Sequence, residues 1–166
     1  GLFYGLVISM FFYNLFIFIS TKNFSNLFYL LYVLFWGIGL FNLQGFSQRF
    51  IAPESTWIST EGRVLFMALS IIFLILFTID YLNLKKENNR LYKLSLGFIF
   101  INVARILGML VFPHSINIKL AWFILFLAIP FVIFLGTYKW KMNYRPAKFY
   151  LIAFSFLTIG TFISIL

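Results

Sequence analysis

The chain has 166 residues, of which 63% are hydrophobic and only 10% are charged. A soluble domain has about 45–50% apolar and about 25% charged residues, so the excess apolar surface of this chain must face lipid. The net charge of +9 comes from basic residues in short gaps between apolar runs. That arrangement is typical of membrane topology and argues against nucleic-acid binding.

Six apolar segments are long enough to cross a bilayer as helices. About 20 residues that rise about 1.5 Å each span a hydrocarbon layer about 30 Å thick. In chain order, the predicted spans are 2–20, 26–45, 64–84, 91–112, 120–138 and 147–166. Segments 65–77 and 123–135 lack the alternation of polar and apolar residues that a membrane β-barrel requires. The sequence therefore predicts an all-α, polytopic bundle of six transmembrane helices.

The basic residues predict how these spans are oriented. Nine fall on one side, namely Lys22, Lys85, Lys86, Arg90, Lys93, Lys139, Lys141, Arg145 and Lys148. Three fall on the other, namely Arg49, Arg63 and Lys119. The positive-inside rule places the larger group in the cytoplasm and Gly1 outside. Arg105 interrupts the fourth span, but without that crossing the two largest basic clusters would face opposite sides, so we expect it to cross.

Both ends of the chain are expected to be cuts within a longer protein. Gly1 is not an initiator methionine, and Leu166 lies inside an apolar run. The external segment 46–62 is the one loop large enough to touch another domain. With an even number of spans, a cytoplasmic output would need a seventh helix.

Aromatic-rich motifs occur in a particular order along the chain. They are Gly1–Gly5 and Tyr13–Phe16 in the first span, Asn26–Tyr32 in the second, Gly45 before the long loop, and Tyr144–Leu151 at the start of the sixth span. Over essentially the whole chain, this order resembles the bacterial seven-transmembrane receptors with diverse intracellular signalling modules (7TMR-DISM). The chain departs from the family at Asp80, where an apolar or basic residue is more common, and in lacking the seventh helix.

The resemblance implies a signal-transducing region in the bacterial inner membrane. It also implies an extracytoplasmic sensor domain before Gly1 and a cytoplasmic signalling module after the seventh helix. In such receptors the module is a histidine kinase, a cyclic-nucleotide or cyclic-dinucleotide enzyme, or a phosphatase. The expected partners are the lipid bilayer, these two domains and a second copy of the chain. The basic loops are explained by topology, or by contact with anionic lipid or with the module.

Arg105 is the most informative side chain, because a charge within the bilayer costs at least about 2.5–3.5 kcal/mol and should find polar partners. It lies about 21 Å up the fourth span, while Asn42 lies about 22 Å up the second and Gln44 slightly higher. One hypothesis is a buried polar cluster of Arg105 with Asn42, Gln44 or Asn102, whose packing differs between signalling states. The alternative is that Arg105 reaches the outer headgroups or Glu61 and sets the depth of the helix.

Small and polar residues within the spans are expected to pack helices together. Two pairs have the small-x-x-x-small spacing of a close helix approach, within the bundle or in a dimer: Gly1 with Gly5, and Ala104 with Gly108. Asn14 is expected to form an interhelical hydrogen bond worth about 0.6 kcal/mol. Pro130 predicts a kink in the fifth helix, because proline removes one backbone hydrogen bond.

No pattern of catalytic residues occurs within the spans. They contain no histidine, no pair of aspartates and no His/Glu metal cluster, the chain has no cysteine, and His114 stands alone in a turn. We therefore expect no enzyme activity and no cofactor or metal site in this chain. A small-solute transporter is the alternative function. Ion-coupled carriers usually place acids or broken helices near the midplane, and no acid lies there.

Overall fold

The computed structural model describes residues 2–46, 49, 57–87 and 89–165, and nearly all of these residues are helical. They form six long helices: α1 (Leu2–Thr21), α2 (Phe24–Leu43), α3 (Arg63–Tyr81), α4 (Asn89–Gly108), α5 (His114–Lys141) and α6 (Pro146–Ile165). A π-helical turn, Ile58–Gly62, precedes α3, and a single helical turn, Leu84–Glu87, precedes α4. No strand occurs among these residues, and the all-α prediction is confirmed.

Four helices of the described chain are long and apolar enough to cross a membrane. They are Phe24–Leu43, Thr60–Tyr81, Arg90–Gly108 and His114–Lys141. Gly5–Thr21 is a shorter apolar helix. The predicted membrane helix bundle is therefore confirmed, while the count of six spans stays a prediction.

Helix α3 is the centre of the bundle. Helices α2, α4 and α5 all pack against it, whereas α1 packs on α2 and α6 packs on α5. Val64, Ala68, Ile71 and Ile75 recur at three- and four-residue intervals on α3, and each is at most 2% exposed. By contrast, α4 buries only 17% of its span and exposes large side chains such as Phe100. Exposed apolar side chains of this kind suit contact with lipid.

Helices α1, α3 and α5 all end in the same way. Each is followed by a residue with a positive φ: Lys22 (50°), Asn83 (51°) and Asn143 (62°). A left-handed residue after a helix allows following N–H groups to reach the last carbonyl oxygens. After α5, the N–H of Tyr144 donates to the carbonyl oxygen of Lys139 at 3.2 Å. Helix α3 thus ends at Tyr81, three residues before the end of the predicted span.

Helix α5 is longer than the span predicted for it. It starts at His114, directly after Pro113, whose extended backbone (φ −64°, ψ 149°) forms the N-cap. The prediction starts the span after Lys119, but a helix does not have to end where its apolar segment ends. Pro130 lies within α5, which continues on both sides of it. The missing proline N–H leaves the carbonyl oxygen of Phe126 without its usual helical donor.

Hydrogen bonds hold together the helix ends on one side of the bundle. Ser25 Oγ donates to Asp80 Oδ2 and joins the start of α2 to the end of α3. Asn83 Nδ2 donates to Tyr144 Oη at 2.9 Å and joins the α3–α4 turn to the α5–α6 turn. We call this side the basic end, because it carries eight exposed cations: Lys22, Lys85, Lys86, Arg90, Lys93, Lys141, Arg145 and Lys148. The two largest basic clusters share this end, as they must if the fourth span crosses.

The opposite end of the bundle also has a polar contact between segments. His114 Nδ1, at the start of α5, lies 3.0 Å from Glu61 Oε1 in the turn before α3. Glu61 and Asp80 are nineteen residues apart, which corresponds to about 28 Å along a helix. That length is close to the hydrocarbon thickness of about 30 Å. The polar contacts at the two ends are therefore separated by about one bilayer core.

Candidate functional site

Four polar side chains are buried towards the opposite end, on three different helices. They are Asn42 of α2, Asn102 and Arg105 of α4, and Asn117 of α5, and none is more than 5% exposed. We call these four residues the polar layer. Buried polar groups within membrane spans are costly, so they commonly mark functional positions.

Counting residues along the helices places Arg105, Asn42 and Asn117 of the polar layer at similar depths, whereas Asn102 lies about 4.5 Å deeper than Arg105. Helices α3 and α4 run in opposite directions, so equal numbers of residues counted back from the turn between them lie at the same depth. This count places Arg105 at the level of Leu65, about 6 Å from Glu61 in the direction of the basic end. Counted from the basic end, Asn42 reaches a level about 3 Å below Glu61. Asn117 is three residues beyond the contact between α5 and Glu61, which places it about 4.5 Å below. These three side chains thus lie within about 3 Å of each other in depth.

Several hydrogen-bonding groups of the polar layer have no partner among the described residues, although Asn117 Nδ2 donates to Phe112 O at 3.1 Å. The Nε, Nη1 and Nη2 atoms of Arg105 are enclosed and have no hydrogen-bond partner among the described residues. The Oδ1 atoms of Asn42 and Asn102 are also buried and have no hydrogen-bond partner within the described residues. Asn102 Nδ2 instead donates to Phe98 O at 2.9 Å, within its own helix. Enclosing a charge without a partner costs several kcal/mol. A conformation in which Arg105 is paired would therefore have a lower electrostatic free energy than the one described.

Glu61 is an acid close to the polar layer. Its Oε1 contacts His114, whereas its Oε2 is buried and has no partner within the described chain. Arg105 lies about one helical turn deeper, a distance that a long arginine side chain can span. An acceptor and a donor that both lack partners are therefore close in depth but do not meet.

The structure buries part of the predicted cluster on two helices, α2 and α4, that both pack against α3. Arg105, Asn42 and Asn102 all belong to the polar layer, although no hydrogen bond joins Arg105 to either asparagine. Gln44 is exposed at the end of α2, where its N–H donates to Leu40 O at 3.0 Å. Asn117 belongs to the layer but was not predicted. Its signal in the sequence is an amide between two isoleucines in the first turn of the fifth helix.

A second set of polar contacts lies at the basic end and was not predicted. Thr78 Oγ1 of α3 and Tyr150 Oη of α6 are 2.8 Å apart, and both residues are buried. Tyr144 Oη accepts from Asn83 and donates to the carbonyl oxygen of Tyr81 at 3.1 Å. We call these five residues the tyrosine network. It connects α3 to the α5–α6 turn and to α6.

Aromatic rings extend the tyrosine network into the core. The Tyr150 ring stacks on Phe77 with centroids 5.9 Å apart and on Phe154 at 5.4 Å. Phe154 in turn stacks on Tyr32 of α2 at 6.3 Å. Such ring pairs contribute about 0.5–1.5 kcal/mol beyond burial of their area. Helices α2, α3 and α6 are therefore held together by rings as well as by hydroxyl groups.

Two charged residues near the tyrosine network are also engaged. Asp80, near the end of α3, accepts a hydrogen bond from Ser25. Lys139 has no exposed surface, and its Nζ lies 5.7 Å from the centroid of the Tyr144 ring. A cation over an aromatic face is attracted by the ring quadrupole. The basic end thus has an ordered interior beneath its exposed cations.

The predicted packing residues lie away from the closest helix contacts. Gly1 is outside the described residues, and Gly5 is exposed, with nothing within 4 Å of the position that a Cβ would take. Ala104 is exposed, and a Cβ on Gly108 would meet Phe112 at 3.2 Å in the turn that follows the same helix. Asn14 Nδ2 donates to Met10 O at 2.7 Å, so this amide is satisfied within α1.

Two other glycines lie where helices approach closely. A Cβ on Gly37 of α2 would be 2.9 Å from Val7 Cγ1 of α1. A Cβ on Gly136 of α5 would be 2.7 Å from Leu151 Cδ2 of α6. Neither glycine is part of the pairs predicted from spacing. Close approach at these positions depends on which helix face meets a neighbour.

Apolar helices of membrane-spanning length, with buried polar groups towards both ends, define a polytopic helical membrane protein. Residues 1–166 match the family described as 7TM diverse intracellular signalling, and the chain belongs to that family. No curated protein and no solved structure matches the chain. The chain is therefore a multi-pass, receptor-like signalling region. Among the described residues, no group of three or more His, Cys, Asp or Glu side chains could hold a metal ion.

Proposed function

We propose that this bundle transmits a signal across the bacterial inner membrane, from an extracytoplasmic sensor domain to a cytoplasmic signalling module. Membership of the signalling family over the whole chain supports this function. The basic end faces the cytoplasm in this proposal, in accordance with the positive-inside rule. The bundle itself is not an enzyme, and any catalysis belongs to the cytoplasmic module.

The observation that carries the proposed mechanism is the enclosed, unpartnered guanidinium of Arg105. In one state, which is the one described, Glu61 contacts His114 and Arg105 has no acceptor among the described residues. In the second state, Glu61 turns to Arg105 and the buried charge is paired. A sensor domain shifts this equilibrium by binding one state more tightly than the other.

Helix α3 is the element that connects the two ends in this mechanism. The turn before it carries Glu61, and its last residues include Thr78 and Tyr81 of the tyrosine network. A small shift or rotation of α3 would alter the contacts at both ends together, because packed helices move as rigid elements. The tyrosine network would then pass the change to α6 and the α5–α6 turn.

The test replaces Arg105 in the full-length receptor and measures the output of its signalling module with and without stimulus. Arg105→Leu removes the charge that distinguishes the two states, so we expect an output that no longer responds to stimulus. Lys119→Leu is the matched control. Lys119 lies within about 1.5 Å of Arg105 in depth and carries the same charge, but it is exposed. This control should respond normally.

Variants of His114 and Glu61, which form the contact that competes with Arg105, show which of the two states produces the signalling output. His114→Ala frees Glu61 for Arg105, whereas Glu61→Gln weakens both pairings. If each pairing contributes about 1.4 kcal/mol, His114→Ala changes the ratio of states about tenfold. Normal signalling by Arg105→Leu, at normal abundance in the membrane, would eliminate the switch. Solute uptake by the full-length protein in proteoliposomes, without any signalling response, would instead support the transporter alternative.

A further inference from the structure

The basic end concentrates charge far beyond what its acidic residues neutralise. Nine of the thirteen basic residues lie there together with two of the four acidic ones, Asp80 and Glu87, which leaves a net charge of +7. Asp80 is engaged by Ser25. All the cations of this end other than Lys139 are exposed. The surface is therefore strongly positive and accessible.

The fold brings the cations of two separate turns onto one surface. Asn83 of the α3–α4 turn donates to Tyr144 of the α5–α6 turn at 2.9 Å. Lys85 and Lys86 follow Asn83 by two and three residues, and Arg145 directly follows Tyr144. A hydrogen bond between the turns thus places both groups of cations at one junction, which we call the turn junction.

Apolar side chains are interleaved with the cations of the second turn. Trp140, Met142 and Phe149 are between 52% and 68% exposed, and they alternate along the chain with Lys141 and Lys148. Aromatic residues at a membrane boundary insert their rings at headgroup level. A surface that combines exposed cations with exposed apolar groups matches a phosphate headgroup attached to acyl chains, and it suits a purely soluble polyanion less well.

We propose that the turn junction binds an anionic phospholipid, and that a headgroup with two phosphates bridges the two turns. Basic surfaces at the ends of transmembrane helices attract anionic headgroups, and basic sites between such helices hold two-phosphate lipids of the cardiolipin type. Lys85 and Lys86 contact one phosphate, and Arg145 with Lys148 contacts the other. This binding requires only that the chain is a membrane protein, and it is independent of the proposed signalling role.

The first test measures lipid affinity with the purified full-length protein in detergent, by native mass spectrometry with added cardiolipin, phosphatidylglycerol or phosphatidylcholine. Each cation removed should weaken binding of the anionic lipids about fivefold. Lys85→Gln combined with Lys86→Gln should therefore weaken cardiolipin binding about 25-fold. Arg49→Gln combined with Lys119→Gln removes two exposed charges from the opposite end and should leave the affinity unchanged within about twofold.

A second variant tests the bridge without changing any charge. Asn83→Ala combined with Tyr144→Phe removes the hydrogen bond between the turns. Cardiolipin should then lose its advantage over phosphatidylglycerol, while the affinity for phosphatidylglycerol stays the same. Circular dichroism and size-exclusion chromatography establish that each variant is folded.

Three results would overturn the proposal. The first is equal affinity for phosphatidylcholine and the anionic lipids. The second is an equal loss in the variants of the two ends. The third is a Lys85→Gln/Lys86→Gln protein that binds cardiolipin normally but has lost its signalling output, because the turn junction would then contact the signalling module in place of lipid.

Discussion

The contact between α5 and α6 at Gly136 gives the sharpest test of the packing described. A methyl group there would lie 2.7 Å from Leu151 Cδ2 and 3.0 Å from Tyr150 Cδ1. The end of the Leu151 side chain can turn aside. The Tyr150 ring cannot do so easily, because it is 3% exposed and its hydroxyl is bonded to Thr78. Gly136→Ala should therefore push the two helices apart or displace this ring.

The expected change in the free energy of unfolding combines two opposing effects. Adding a methyl group to a well-packed core costs about 1–3 kcal/mol. Replacing glycine by alanine inside a helix gains about 0.5–1 kcal/mol. The net destabilisation of Gly136→Ala is thus between about 0 and 2.5 kcal/mol. Gly97 of α4 is exposed with nothing within 4 Å of its Cβ position, so Gly97→Ala is a control that should show only the gain.

Reversible unfolding in mixed micelles of increasing SDS content, followed by circular dichroism, measures both variants. The difference between Gly136→Ala and Gly97→Ala isolates the steric cost, about 1–3 kcal/mol. Adding Leu151→Ala to Gly136→Ala should recover part of that cost, because the two side chains share the same space. Equal stabilities of the two single variants would refute the close approach of α5 and α6.

Three further predictions concern other parts of the bundle. Thr78→Val removes the hydroxyl bonded to Tyr150 and should lower the free energy of unfolding by about 0.6–1.7 kcal/mol in the same SDS titration, with a non-additive effect when combined with Tyr150→Phe. Lys22→Gly relieves a positive φ of 50° and should raise that free energy by about 1 kcal/mol, whereas the neighbouring helical position Thr21→Gly should lower it. The chain has no cysteine, so Lys86→Cys and Lys119→Cys can each be labelled selectively in spheroplasts. An impermeant maleimide should label position 119 and spare position 86, and the reverse pattern would contradict the proposed orientation.

Features set by long stretches of sequence could be predicted. The lengths of the apolar segments predict the helices, because every backbone group in lipid must be bonded within its own helix. The sequence also singles out Arg105, Asn42 and Asn102, which are buried, since polar residues in an apolar helix are conspicuous, but it singles out Gln44 as well, which is exposed. Helix bounds were less predictable, as α5 shows by starting six residues before its predicted span.

Features that depend on helix rotation could not be predicted. Tyr144 and Tyr150 have side chains that suit lipid, a membrane boundary or a core equally well, so the tyrosine network has no signature in one sequence. The small-x-x-x-small spacing predicted a close helix approach at Gly5, whereas the structure has a close approach of two helices at Gly136. Packing across the whole bundle determines which face of a helix contacts a neighbour. The local sequence of one helix does not predict that face.

Helix α5 is longer than the hydrocarbon layer is thick, so its tilt depends on the thickness of the surrounding membrane. Its 28 residues correspond to about 42 Å, against about 30 Å of hydrocarbon. A helix of that excess length tilts or protrudes, and thickening the bilayer reduces the mismatch. Because α5 carries His114 near one boundary and Trp140 near the other, a change in its tilt displaces these two residues in opposite lateral directions. In the mechanism proposed above, a change in bilayer thickness would therefore shift the contact between His114 and Glu61.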